Sequence, residues 1–377
     1  MYMKIAVNTR LLLPGKLEGI GWFAAETLKV ITRSHPEHEF LFLFDRPFSD
    51  EFIFSDNITP LVVQPKTRHP LLWYTWFEVS LPRVLNSYGA NLFFSPDGYL
   101  ALSSEIPSVA VIHDINFMHK PEFHPWLTGK YYRHFFPRFA ARANRIATVS
   151  EYSKNDISRT FRIPREKIDV VYNGAGNIYT PLNREERVEV KNEFTAGSDF
   201  FLFVGSFHIR KNICGLLKSY ESFRNRAAGK DVKLVLAGER MYDYPKMDKV
   251  LSIMRFKSDV IFTGRLEPPV LRKLYGAALS LVYIPFFEGF GIPVLEAMNC
   301  DTPVIASNRT SLPEITGEAA HLVDPDCIES VTEGMLKILY CDSYRISLIE
   351  RGRIRRKLFS WERTAGLLWK SIEKAIV

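Results

Sequence analysis

Two kinds of hydrophobic pattern alternate along the chain. Short continuous apolar runs rich in β-branched and aromatic residues, KIAVNTR (4–10), FLFLFD (40–45), SVAVIH (108–113) and RIATVS (145–150), are separated by longer stretches with helical spacing such as GWFAAETLKVITRS (21–34). A strand covered on both faces has no polar side to show, so unbroken runs between helical patterns predict a parallel sheet layered by helices. The pattern starts again after the turn-rich NGAGNIYTPLN (173–183), with DFFLFVGS (199–206), DVKLVLAG (231–238), DVIFTG (259–264), LSLVYIP (279–285) and TPVIAS (302–307). Two α/β domains of one kind are therefore expected, residues 1–178 and 179–359, with a ligand at the carboxyl ends of the strands in the crevice between them. After the arginine-rich GRIRRKLF (352–359), Ser360 is a suitable N-cap for a last helix within 360–377.

Composition changes this picture little. With 377 residues, 46% hydrophobic and 24% charged, the chain has apolar material for two cores, which excludes a disordered chain, a coiled coil or a disulfide scaffold. The net charge of +7 suits anionic partners without choosing among phosphates, lipid and nucleic acid. Cys214, Cys300, Cys327 and Cys341 include no C-x-x-C pair, and no apolar stretch reaches the ~18 residues of a membrane span. The expectation is a cytoplasmic protein with reduced thiols, neither secreted nor spanning a membrane.

Candidate chemistry concentrates in two segments of the second half. Val204-Gly205-Ser206-Phe207-His208-Ile209-Arg210-Lys211-Asn212 leaves a strand and enters the helical NICGLLKSYESFRNR (212–226). A glycine followed by two cations at a helix start is a phosphate-binding arrangement. The free N–H groups of a helix N-terminus carry partial positive charge, Arg210 offers a forked donor set, and Lys211 adds a mobile point charge. Two cations suit a diphosphate. The second segment, PFFEGFGIPVLE (285–296), puts Glu288 in a glycine-rich loop after a strand and Glu296 in the first turn of a helix opened by Pro293. Gly289 and Gly291 let backbone amides approach a ligand closely, and two carboxylates facing one crevice are acceptors for sugar hydroxyls.

Together, GSFHIRKN (205–212) and the E-x7-E from Glu288 to Glu296 resemble the C-terminal signature of the retaining GT-B glycosyltransferases of glycosyltransferase family 4. HDINFMHKPEFHP (113–125), RIATVSEYSK (145–154), VVYNGA (170–175) and SLPEI (311–315) resemble that family in order and spacing, particularly its bacterial mannosyltransferase-like group 1 members. The resemblance implies an α/β GT-B fold, two Rossmann-like domains facing across a central cleft, with the last helix packed back on the first. It implies that Arg210 and Lys211 hold the diphosphate of a nucleotide diphosphate sugar, with Gly205 in the phosphate loop. Glu288 and the amides of Phe290 and Gly291, with Gly289 beside them, would hold the sugar; Glu296 would hold the ribose, and Gly264-Arg265-Leu266 would meet the base. His113 would lie close to the transferred sugar. The early glycine loop would be Gly19-Ile20-Gly21, with Gly21 on the donor side; its extension by LLLPGKLE (11–18) leaves open which glycine amide meets phosphate. The implied activity is transfer of a hexose, with mannose and GDP-mannose favoured, to a glycan or lipid-linked acceptor in polysaccharide or O-antigen-type biosynthesis. His113, Arg210, Lys211 and Glu288 would be the catalytic residues, with no cofactor and no metal.

Other readings compete at single positions. His113 also fits a satisfied core histidine, and His119, His124 and His134 lack metal-ligand spacing. Gly19-Ile20-Gly21-Trp22-Phe23-Ala24, with Asp45 ending the next strand, imitates a dinucleotide fingerprint. Its glycines begin nine residues after Arg10, too far for the tight turn an NAD site needs. Asp324-Pro325-Asp326 imitates a D-x-D metal motif but reads as a turn with a helix cap. A non-catalytic nucleotide-sugar binder and an NAD-dependent dehydrogenase are the alternative functions. Trp126, Tyr131, Tyr132, Phe135, Phe136 and Phe139 interleave with Lys130, Arg133, Arg138, Arg142 and Arg145, and LLWYTWFEV (71–79) adds further aromatics. That set fits either peripheral contact with an anionic membrane or a helix whose aromatics are simply core. No nucleic-acid-binding module is present, so nucleic acid is not an expected partner.

Overall fold

A computed structural model describes residues 2–227, 229–240 and 245–376. The chain divides into two compact units, Met1–Gly174 with Ser360–Val377, and Ala175–Phe359. Among the described residues no helix is long and apolar enough to cross a membrane.

The first unit is built on β1 (Lys4–Asn8), β2 (Glu39–Phe44), β3 (Ile58–Val62), β4 (Leu92–Ser95), β5 (Ser108–Val111), β6 (Arg145–Thr148) and β7 (Ile168–Val170). They form one sheet in the order β3-β2-β1-β4-β5-β6-β7, with every neighbouring pair parallel. Ile5 of β1 lies level with Phe40 of β2 and Leu92 of β4, and all three are buried. The continuous apolar runs thus have the cause expected for them: both faces of the sheet are covered. The helix Trp361–Lys374 completes this unit. Ser360 Oγ caps it by accepting from the Arg363 amide at 3.2 Å, and Ser371 and Lys374 reach Asp169 at the end of the sheet at 2.9 and 2.8 Å.

The second unit carries β8 (Asp199–Val204), β9 (Val232–Ala237), β10 (Val260–Gly264), β11 (Ser280–Tyr283), β12 (Val304–Ser307) and β13 (His321–Val323). The order is β10-β9-β8-β11-β12-β13, again all parallel. In both sheets the order reverses beside the first strand, between β1 and β4 and between β8 and β11. The chain leaves the two neighbours toward opposite sides there, and the opening this creates at their carboxyl ends is where such sheets receive ligands. Several strands stop short of the apolar runs that predict them; β11 ends at Tyr283 and not at Pro285, because the chain turns off the sheet at that edge.

Candidate active site

The loops after β8 and β11 meet at the reversal point of the second sheet. After β8 the chain runs through Gly205 to a single 3₁₀ turn, Ile209–Lys211, and then to Asn212, whose φ is +58°. Asn212 Oδ1 accepts from the Gly215 amide at 3.2 Å and caps the helix Ile213–Arg226, while its Nδ2 donates to the Pro325 carbonyl at 2.7 Å. This corrects the expectation that Arg210 and Lys211 sit in the first turn of the helix. Asn212 takes the cap, so both cations stand just before the helix, at the positive end of its dipole, and add to the positive field there.

Lys211 is not the mobile charge its residue type suggests. It is 7% exposed, with Nζ donating to Glu288 Oε2 at 2.5 Å and to Tyr283 Oη. Arg210, whose side chain is 25% exposed, donates from Nη1 to the same Glu288 oxygen at 2.9 Å, and the Tyr283 hydroxyl donates to it as well at 2.9 Å. Burial alone would raise the Glu288 carboxyl; the charges of Lys211 and Arg210 outweigh it and bring the pKa down to about 2. Among the described residues, Lys211 and Arg210 both pair with this one carboxylate at the strand ends. The Glu288 backbone is fixed by the segment after β12: its amide donates to Thr310 Oγ1 at 3.2 Å, and its carbonyl accepts from Ser311 Oγ at 2.8 Å.

Glu296 differs in place and character. The helix runs Ile292–Asn299 from an N-cap at Gly291, so Glu296 is in its second turn and not, as expected, its first. Its carboxyl accepts from Tyr275 Oη at 2.7 Å. Burial pushes it up to about 7, with the hydrogen bonds of Tyr275 and Tyr179 working the other way. The two acids of the E-x7-E are therefore split, one always ionised and one titrating near neutrality. Both charges help to hold the Tyr283 phenol protonated, after burial, which is the main cause.

The surrounding loops offer backbone. Gly291 has φ +100°, and a Cβ there would lie 2.6 Å from Leu312 Cδ2, so the turn into the helix accepts only glycine. The Phe290 ring packs edge-on against Phe359, and Gly289 is buried in the same loop. Gly238, past β9, has φ +151°, and any side chain would run into the Gly205 carbonyl, while its amide donates to the Gly264 carbonyl at 2.9 Å. Three strand ends, at Gly205, Gly238 and Gly264, are thereby drawn together. Beyond Gly264, Arg265 is exposed and Leu266 packs against the core.

In the first unit, Gly19 and Gly21 are not in a loop. They open the helix Gly19–Ser34, where a Cβ on Gly21 would stand 3.1 Å from both the Leu11 carbonyl and the Leu17 side chain. His113 follows β5. Its Nε2 lies 2.9 Å from the Pro96 carbonyl, which can only accept, so Nε2 carries the hydrogen and Nδ1 keeps a lone pair. Burial lowers its pKa against the effect of the Pro96 bond, and the ring stays neutral at physiological pH. Phe23, one turn into the Gly19–Ser34 helix, meets the His113 ring edge-on at 4.9 Å.

The decoys resolve individually. His119 pairs with Asp156 at 2.7 Å, His124 meets Asn116 at 2.6 Å, and His134 contacts Arg138. Asp324 and Asp326 both pair with Arg309, at 2.8 and 2.5 Å, and the cap of the next helix is Cys327, so the expected aspartate cap is replaced by a cysteine. Of the aromatic and basic stretch, Tyr131, Phe136 and Phe139 are core, Arg142 holds the Ser104 and Ile106 carbonyls, and Arg145 pairs with Asp169. Trp126, Leu127, Lys130 and Arg133 remain exposed. Tyr283, Tyr275, Thr310 and Ser311 join the site without a local signal in the sequence, since a tyrosine in an apolar strand reads as core until its hydroxyl partner is known.

The fold is that of the GT-B glycosyltransferases. Residues 19–175 match the family described as Glycosyltransferase Family 4 and residues 184–355 that described as Glycosyl transferases group 1, and the chain belongs to this family. It is 29% identical over 358 residues to O-antigen chain mannosyltransferase B of Escherichia coli, covering 92% of this chain and 93% of that protein. With O-antigen chain mannosyltransferase RfbU of Salmonella typhimurium it shares 26% identity over 270 residues, 72% of this chain and 71% of the other. Sucrose-phosphate synthase from Thermosynechococcus elongatus has the same fold, with a TM-score of 0.79 at 17% identity over 98% of this chain and 99% of that one.

Proposed function

We propose that this glycosyltransferase moves mannose from GDP-mannose to a glycan or lipid-linked acceptor, with retention of configuration and no metal in the chemistry, as a step in building an O-antigen-type polysaccharide. The observation that carries the diphosphate site is the gathering of two cations, Arg210 partly open to solvent and Lys211 buried beside it, at the ends of β8 and β11. Arg210, the more accessible cation, meets the diphosphate directly; Lys211, fixed beneath it, adds charge without needing to be ordered on binding. The mannosyl donor rests on the O-antigen mannosyltransferases to which the chain is similar.

In the proposed step the acceptor hydroxyl oxygen bonds to the anomeric carbon as the bond from that carbon to the diphosphate oxygen breaks. The hydroxyl proton passes to the departing diphosphate on the same face. The protein's share is to position the groups and stabilise the charge that builds on the leaving group. Glu288 and the backbone of Gly289, Phe290 and Gly291 are assigned to the sugar, Glu296 to the ribose, and Gly264, Arg265 and Leu266 to the base. His113, neutral with a lone pair on Nδ1, is assigned to a hydroxyl of a sugar substrate, and Gly21 to the donor side of the first unit.

A lipid-linked acceptor is supported by a groove of about 740 Å³ on the first unit, lined among others by Leu71, Tyr74, Leu127, Lys130 and Arg133, with Lys130 lying 3.9 Å over the exposed Trp126 ring. Aromatics with cations that have no carboxylate partner among the described residues suit an anionic membrane surface, and the protein is assigned to its cytoplasmic face.

The test is turnover of a panel of nucleotide sugars, with and without EDTA, and NMR of the product. Release of GDP from GDP-mannose, insensitive to EDTA, with an α-mannoside formed, is the expected result. Preference for a UDP-sugar, an inverted product or an absolute need for Mg²⁺ or Mn²⁺ would each remove the corresponding part of the proposal.

A further inference from the structure

We propose that His35, Glu37 and His38 form a binding site for a divalent transition metal of the zinc type, which fastens the last helix to the first unit. The three lie in the turn His35-Pro36-Glu37-His38 between the helix Gly19–Ser34 and β2. Nδ1 of His35 is 3.5 Å and Nε2 of His38 is 3.4 Å from the same Glu37 oxygen, and the three donor atoms all lie within 4.8 Å of one another. These separations are long for hydrogen bonds. The two histidine–glutamate separations match the edge of a tetrahedron around zinc, since bonds of about 2.0–2.1 Å place neighbouring ligands about 3.4 Å apart. Two imidazoles and a carboxylate are the donor set that zinc and its neighbours take, and the exposed Glu37 side leaves room for water at the remaining position.

The surroundings hold the donors in place. Asn57 Nδ2 lies within hydrogen-bond distance of the carbonyls of Thr32, His35 and His38, at 3.1, 3.1 and 3.0 Å, and pins the backbone of the turn. Trp369 of the last helix stacks on His35 with centroids 3.7 Å apart and planes 17° apart, and on His38 at 5.1 Å and 23°. The indole is itself oriented by its Nε1 donating to Glu373 Oε1 at 3.0 Å. Asn57 thus fixes the backbone of the donors and Trp369 their ring planes. A metal here would tie the turn to the helix through Trp369.

The experiment uses the full chain, stripped with a chelator and titrated with Zn²⁺ by calorimetry and with Co²⁺ by visible absorption. Wild type is expected to bind one equivalent of Zn²⁺ saturably, to develop a Co²⁺ d–d band and to melt at a higher temperature with Zn²⁺ present. Glu37→Gln changes an exposed side chain and leaves folding intact; it is expected to weaken Zn²⁺ roughly tenfold or more. His35→Ala is expected to abolish both the band and the melting shift, with an unchanged far-ultraviolet circular dichroism spectrum. Equal stoichiometry and affinity in wild type and the His35→Ala/Glu37→Gln double variant would overturn the proposal, as would a wild type that gives no Co²⁺ band.

Discussion

Past the end of β1, Arg10 meets Asp97, which follows β4; past the end of β8, Arg210 and Lys211 meet Glu288, which follows β11. The two places are topologically the same, the reversal point of each sheet. In the first unit Arg10 Nε is 2.7 Å from Asp97 with side chains only 7% and 3% exposed, and the guanidinium lies 4.2 Å over the Tyr99 ring. A second matched pair, Arg46 with Asp45, stands close by, so charges balance one to one. In the second unit two cations share one carboxylate, and Arg210 keeps a quarter of its side chain in contact with solvent. A balanced, sealed cluster holds its loops and offers nothing to a ligand. Two cations gathered at an accessible edge are the arrangement that the proposed diphosphate site requires.

Breaking each cluster should therefore fail in a different way. Arg10→Met leaves Asp97 buried without a counter-charge, and the expected loss is about 3–5 kcal/mol of folding stability, measured by urea unfolding. Arg210→Ala removes the more exposed cation while Lys211 still neutralises Glu288, so unfolding should change little. Its cost falls on donor turnover, roughly 10–1,000-fold in kcat/KM with a drop in kcat itself. A stable Arg10→Met, or an Arg210→Ala enzyme with normal turnover, would erase the distinction.

Glu288→Gln sharpens it from the other side. The Glu288 pKa is held at about 2, below its ordinary value of 4.5. Its contribution is full above about pH 4.5 and is lost as pH falls toward 2, and a shift of this size corresponds to about 3 kcal/mol at neutral pH. Glu288→Gln should lose stability of that order and regain part of it when pyrophosphate is added, since an anion then replaces the missing carboxylate. Lack of rescue by pyrophosphate would mean that the two cations do not bind a diphosphate.

How far this was legible in the sequence depends on the reach of the interactions. Apolar runs marked the strands, because burial on both faces leaves its trace residue by residue. The strand ends and helix starts were less readable. Gly19 and Gly21 look like a loop and begin a helix, and Arg210-Lys211 look like a helix start although Asn212 takes that place by adopting a positive φ. Charge partners were hidden, since Lys211 and Tyr283 are far apart in sequence and nothing local says that a strand tyrosine will lie under a lysine. His35, Glu37 and His38 stand within four residues, but adjacency alone singles out nothing, and Asn57 and Trp369 are residues that only the fold brings near them.

Glu296 tests whether the second carboxylate belongs to the receptor. Burial raises its pKa to about 7 from 4.5, opposite in sign to Glu288. Its contribution to folding is fully present below about pH 4.5 and is lost as pH rises through about 7, so Glu296→Gln should flatten the pH dependence of stability and be the more stable protein at pH 8. If the carboxylate accepts from ribose hydroxyls, donor affinity in wild type should rise about tenfold from pH 6 to pH 8 while that of Glu296→Gln stays level. Calorimetric titration at the two pH values reads both. Wild-type affinity indifferent to pH would take Glu296 out of the donor site.

The smallest expected effect applies the same reasoning to the surface of the first unit. Arg142 is matched by the Ser104 and Ile106 carbonyls and Arg145 by Asp169, whereas Lys130 and Arg133 have no carboxylate partner among the described residues, and they stand beside exposed Trp126, Leu127 and Leu71. Accessible cations should again mark the receptor, here for anionic lipid. Each basic residue near such a surface is worth about 1 kcal/mol, so Lys130→Ala/Arg133→Ala should weaken binding to anionic vesicles by roughly 30-fold in low salt. Screening at high salt should abolish most of the difference. Arg142→Ala should instead lower stability, by leaving two carbonyls without their donor, and bind vesicles as wild type does. Sedimentation with anionic and neutral vesicles separates the outcomes. If Arg142→Ala released the protein and the Lys130/Arg133 pair did not, balanced and accessible charges would have exchanged roles, and the rule drawn from the two clusters would not extend to this face.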